Sequence, residues 1–113
     1  MRAREAEAVY AQPGWVNFFA HHDPLAVARR VRVPTLILQG ETDTQVTPEQ
    51  ATMLAGALRA GHNRDVSVRT FPHMNHLMLE DPSGDFGGYG KLPSYRVRRD
   101  FLGALADWLA SRL

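Results

Sequence analysis

The sequence contains no cysteine. Disulfides, thiolate metal sites and a cysteine nucleophile are therefore excluded. No apolar run approaches the ~20 residues of a membrane-spanning helix, and the charged stretch Met1–Val9 lacks the apolar core of a signal peptide. Thirteen basic residues face twelve acidic ones, a formal net charge of +1. That balance gives no pull toward nucleic acid or an anionic membrane, and neither is expected as a partner. The densest basic stretch, Arg96–Arg99, reads as the solvated opening of a helix. Gly84, Gly87, Gly88 and Gly90 lack the strand–turn–helix setting of a phosphate loop. Neither His21-His22-Asp23 nor the pair His73 and His76 has a third ligand at metal spacing. No metal and no cofactor are expected. There is no internal repeat and no low-complexity tract.

What is present is ordinary for one globular domain: 113 residues, 44% hydrophobic and 22% charged. Arg2–Ala11 is alanine-rich and reads as a helix, broken at Gln12-Pro13-Gly14. Trp15, Val16, Phe18 and Phe19 make an aromatic patch that must be buried, either in a core or as the wall of an acyl pocket. Asp23 before Pro24 is a helix start, with the helix running to about Arg30. The consecutive apolar residues of Val33–Gly40 read as a strand covered on both faces. Thr47-Pro48-Glu49-Gln50 is a capping-box pattern, and Ala51, Leu54, Ala55 and Leu58 share one face of the helix after it. Gly61 is placed to end that helix. Val66–Phe71 alternates as a second strand, a long irregular segment runs from Pro72 to about Tyr95, and a helix closes the sequence over about Arg98–Arg112. Strand, crossover helix, strand implies parallel pairing and an α/β layer fold.

Ligands of parallel α/β sheets bind beyond the carboxyl ends of the strands. Asp43 lies there after the first strand, and His76 after the second. Side by side, a carboxylate and an imidazole can hydrogen-bond, the first fixing the tautomer of the second. The plainer alternative is a turn aspartate and a loop histidine. Ser83 and Ser94 lie in the loop after His76, but a loop serine without a sharp strand-to-helix turn or an oxyanion hole is a poor nucleophile. His73 is a candidate for the rim of a substrate entrance.

The wording around the two residues favours the chemical reading. Val33-Pro34-Thr35-Leu36-Ile37-Leu38-Gln39-Gly40-Glu41-Thr42-Asp43, with Gln45-Val46-Thr47-Pro48 downstream, resembles the acid-bearing strand and turn of α/β-hydrolases. Phe71-Pro72-His73-Met74-Asn75-His76-Leu77 resembles their histidine loop. Asp23-Pro24-Leu25, Tyr89-Gly90-Lys91 and Ala106-Asp107-Trp108-Leu109 resemble a bacterial esterase-like branch, related to dienelactone hydrolase and the prolyl oligopeptidase catalytic domains. The similarity runs from about Trp15 to the C-terminus. It implies the C-terminal part of an α/β-hydrolase fold, parallel strands flanked by helices, with Asp43 and His76 as acid and base of a Ser–Asp–His triad. Residues 1–32 would be a helical lead-in or lid, and residues 33–113 the acid strand, histidine loop and terminal helix.

The family's nucleophile sits in G-x-S-x-G ahead of the acid. None of the four serines, Ser67, Ser83, Ser94 and Ser111, is in that pattern or precedes Asp43. This leaves two expectations. In a complete protein the pair would serve a serine from elsewhere in the hydrolysis of carboxylic esters or similar small acyl compounds. Alternatively the chain is a catalytically inactive remnant or a partner-dependent interaction module. In either case the isolated chain is expected to self-associate or to need the missing N-terminal half, because a buried-type strand with one open edge invites pairing.

Overall fold

The computed structural model describes residues 21–113. The helix read at Arg2–Ala11 and the aromatic patch of Trp15–Ala20 lie outside the described residues. The order is α1 (Pro24–Ala28), β1 (Thr35–Gly40), α2 (Pro48–Ala60), β2 (Val66–Phe71), a 3-10 helix (Phe86–Lys91) and α3 (Arg99–Arg112). β1 and β2 pair in parallel, in a register that sets Thr35 against Val66 and Gly40 against Phe71. Helices plus a parallel sheet make this an α/β structure, as the strand–helix–strand order requires.

Local chemistry accounts for most boundaries. Asp23 caps α1, its Oδ1 accepting the Leu25 and Ala26 N–H groups at 3.1 Å each, with Pro24 at the first position. The helix is shorter than expected because its last turn tightens: Arg30 N–H reaches Val27 O and Val31 N–H reaches Ala28 O. β1 begins at Thr35 rather than Val33, since Pro34 has no N–H for the ladder and Thr35 N–H is the first to cross, to Asp65 O at 2.9 Å. Thr47 is the N-cap of α2, but its hydroxyl makes no capping bond. The neighbouring Glu49 carboxyl is instead held below its usual range, by its own backbone N–H and then by the Thr47 hydroxyl.

Gly61 ends α2 for a reason other than a left-handed turn. A Cβ there would run into the Arg29 carbonyl, so the close approach of α1's end demands glycine. The left-handed residue is the next one, His62, at φ 68°. Asn63 then ties the junction together. Its Nδ2 donates to Val31 O and Val33 O at 3.1 and 2.9 Å, and its Oδ1 accepts Asp65 N–H at 3.0 Å.

The core lies between α1, α2 and β1. Ala28, Ile37, Ala51, Ala55, Ala57 and Leu58 form it, with Leu25, Val31, Leu54 and Val66 packed around. Strand alternation sends Phe71 to the face opposite Val66, where it meets Phe101 of α3 edge-on at 5.8 Å between ring centroids. This second face is thinly covered. No residue of α3 is buried, and Leu102 and Leu109 are exposed. β2 does not show the burial alternation its sequence suggests, because Val68, Arg69 and Thr70 are all exposed. Among the described residues the sheet has two strands, so one edge of β1 carries no strand partner.

Candidate active site

Parallel pairing in this register brings the carboxyl ends of β1 and β2 together, and the two loops that leave them are stitched side by side. Glu41 N–H bonds Phe71 O at 2.9 Å, and Thr42 N–H bonds Met74 O at 3.1 Å. The Thr42 hydroxyl donates to Asp81 O at 2.6 Å, and the Thr44 hydroxyl to Gly84 O at 3.0 Å. Two glycines permit this contact. A Cβ on Gly40 would overlap the Met74 carbonyl, and one on Gly84, which sits at φ 66°, would overlap Thr42 O. The segment after β2 is therefore an ordered structure with a 3-10 helix and a Met74–Glu80 bridge, folded onto the turn that carries Asp43.

Within that frame the Asp43 carboxylate is buried and both its oxygens are engaged. Oδ1 accepts the Gln45 and Val46 N–H groups at 2.9 Å each, which orients the carboxylate plane. The Gln39 side chain, also buried, donates to Val46 O at 2.8 Å and holds the same turn from below. Oδ2 meets His76 Nδ1 at 2.9 Å. With the carboxylate ionised, Nδ1 carries the shared proton and Nε2 is left with its lone pair. The His76 side chain is 38% exposed. A pocket of about 240 Å³ opens beside the pair, lined among others by Leu38, Gly40, Met78 and Phe101. Such an arrangement can take a proton at Nε2 and stabilise the resulting imidazolium through Asp43.

The histidine loop is held from inside by Asn75, which is 1% exposed. Its Oδ1 accepts Leu77 N–H and Leu79 N–H at 2.9 and 3.1 Å, and its Nδ2 donates to Asp81 Oδ2 at 3.1 Å. Asp81 Oδ1 accepts from the Ser83 backbone and hydroxyl. Burial alone would push the Asp81 carboxyl up, but the hydrogen bonds from Asn75, the Gly84 backbone and Ser83 outweigh it and hold the carboxyl below its usual range. Neither Asn75 nor Asp81 stood out in the sequence. A polar residue directly before the histidine, with an aspartate six residues on, was the available signal.

The chain matches the family model of the prolyl oligopeptidase family over residues 12–106, most of its length. The chain belongs to the prolyl oligopeptidase family. This family stands within the α/β-hydrolase superfamily, so the relation drawn from the acid strand and the histidine loop holds. No curated protein and no solved structure matched the chain. Membership in the prolyl oligopeptidase family supports a serine-hydrolase type of domain.

The other sequence candidates fall elsewhere. Ser83 is engaged by Asp81 and by Asp85 N–H, and Ser94 by Arg96 N–H, so neither bonds His76. His73 is exposed, at φ 57°. No group of three or more His, Asp or Glu residues able to hold a metal occurs among the described residues. Arg96–Arg99 is not a uniformly solvated face, because the Arg98 side chain is only 18% exposed and ion-pairs with Glu80 at 3.2 Å.

Proposed function

We propose that Asp43 and His76 are the acid and base of a serine hydrolase that cleaves carboxylic esters or similar acyl compounds, with the nucleophilic serine supplied outside this sequence. The observation that carries the reading is the 2.9 Å bond from Asp43 Oδ2 to His76 Nδ1. It leaves Nε2 with no hydrogen-bond partner among the described residues, at a pocket large enough for a small acyl group. In the proposed reaction Nε2 takes the serine proton as the oxygen attacks the acyl carbon, and returns it to the leaving group. Asp43 keeps the ring in the Nδ1–H tautomer and offsets the imidazolium charge. Residues 1–113 are then the C-terminal portion of the hydrolase domain, residues 1–32 its lead-in or lid.

A second reading, a chain that works only with a partner, is favoured by the sheet. Among the described residues β1 has one edge without a strand, Leu36 and Leu38 are only half-buried, and α3 buries none of its residues. The Trp108 indole N–H is buried without an acceptor among the described residues, a group that normally finds one. These features suit a surface that another segment covers, either the serine-bearing half or a second copy of the chain.

Reading the DNA upstream of the Met1 codon tests both. An in-frame G-x-S-x-G supports the hydrolase, and a fluorophosphonate probe should then label that serine in a His76-dependent way. Labelling that persists undiminished in His76→Ala would remove the acid–base assignment.

A further inference from the structure

We propose that Arg98 is a positioning residue for His76, clamping the outer side of the histidine loop in the one geometry that presents Nδ1 to Asp43. The inference deepens the proposed function and rests on Asp43 and His76 being the working pair. His73 and Met78, three residues before and two after His76, are both left-handed, at φ 57° and 62°. Side-chain-bearing residues rarely adopt that region, and they stay there only where the surroundings over-determine them. Asn75 fixes the inside of the loop. Among the described residues, Arg98 spans the outside of the loop from its start to its end.

Arg98 touches the loop at three separated points. Its Nη1 donates to the Pro72 carbonyl, where the loop leaves β2. The same nitrogen ion-pairs with Glu80 Oε2 at 3.2 Å, where the loop ends. Its backbone N–H donates to Met78 O at 3.1 Å, on one of the two left-handed residues. The guanidinium is itself oriented from α3, with Nε donating to Asp100 Oδ1 at 3.0 Å and Nη2 paired with Oδ2. A planar fork can face Asp100 on one side and span two loop acceptors on the other. An ammonium, a single point charge, cannot. Arg98 makes no bond to His76 or Asp43, so any influence on the pair passes through the loop backbone.

The test is nitrogen-15 NMR of the His76 imidazole in the full chain, followed over a pH series and read where the spectrum itself shows a neutral ring. The ratio of Nδ1–H to Nε2–H tautomer reports the bond to Asp43. Wild type should hold mainly Nδ1–H, and Asp43→Asn should lose that preference. Arg98→Ala should lower the tautomer ratio several-fold while the methyl signals of the α1–α2–β1 core stay in place. Arg98→Lys should fail to restore it. Glu80→Gln, which takes the charge from one of the three ties and leaves an acceptor there, should move the ratio less than Arg98→Ala. If Arg98→Ala does not fold, Arg98→Lys decides. A wild-type ratio in a folded Arg98→Lys overturns the clamp and leaves the pair standing. A wild-type ring already in the Nε2–H form overturns the pair, and the positioning role with it.

Discussion

Replacing Asn75 by alanine tests the physical basis of the site most sharply, because one side chain satisfies three groups at once. Leu79 and Asp81 are 6% and 4% exposed, so the Leu79 N–H would be left without a partner and Asp81 Oδ2 would lose its bond from Asn75, while Oδ1 keeps Ser83. Each such loss costs about 1–3 kcal/mol. Leu77 is exposed, and water can take over its N–H. The sum is about 2–6 kcal/mol, a large part of the ~5–15 kcal/mol that holds a typical domain together. The assay is urea unfolding monitored by tryptophan fluorescence, at matched protein concentration because association would shift the midpoint. Asn75→Asp is the informative companion. It keeps the acceptor but sets a second carboxylate against Asp81, so it should also be destabilised at neutral pH. A stability loss below about 1 kcal/mol in Asn75→Ala would refute the view that this network organises the histidine loop.

Three further outcomes are expected. Gly40→Ala would drive a methyl group into the Met74 carbonyl; overpacking of this kind costs about 1–3 kcal/mol, and hydrogen exchange should show the Thr42 amide, bonded to Met74 O, losing protection. Because the folded Asp81 carboxyl lies below its unfolded value, its contribution to stability is complete above about pH 4. It is lost as pH falls through the lower folded value, so Asp81→Asn should flatten the acid limb of a stability–pH profile; an unchanged limb would contradict the assignment. Light scattering after size exclusion should find the isolated chain larger than a monomer, and a well-folded monomer at high concentration would argue against an unpaired β1 edge.

The sequence was most legible where one local rule acts alone. Val66–Phe71 emerged with its own ends, and Asp23-Pro24 behaved as a cap leading into a preset first turn. The proximity of Asp43 and His76 was readable because parallel strands deliver their outgoing loops to a common edge, and the two side chains meet at 2.9 Å. Legibility failed where tertiary contact chose between local options. The Thr47 hydroxyl had a capping box available and did not use it. Gly61 was placed to end α2, and it does, but the approach of Arg29 is the feature that requires glycine there. The segment after Phe71 looked irregular because its order comes from Asn75, Asp81 and Arg98, polar residues whose partners are distant or backbone atoms. Arg98 in particular was hidden inside a run of arginines, where charge pattern alone cannot separate a solvated side chain from one folded over a loop.

Asp43 and His76 are proposed to act together on a serine. The test is turnover of an activated ester by a protein uniting this sequence with a G-x-S-x-G segment, comparing wild type with His76→Ala and Asp43→Asn. Either change should lower kcat by about 10³-fold or more while KM moves little, since each removes help given in the transition state. Hydrolysis at the wild-type rate in folded His76→Ala would contradict it.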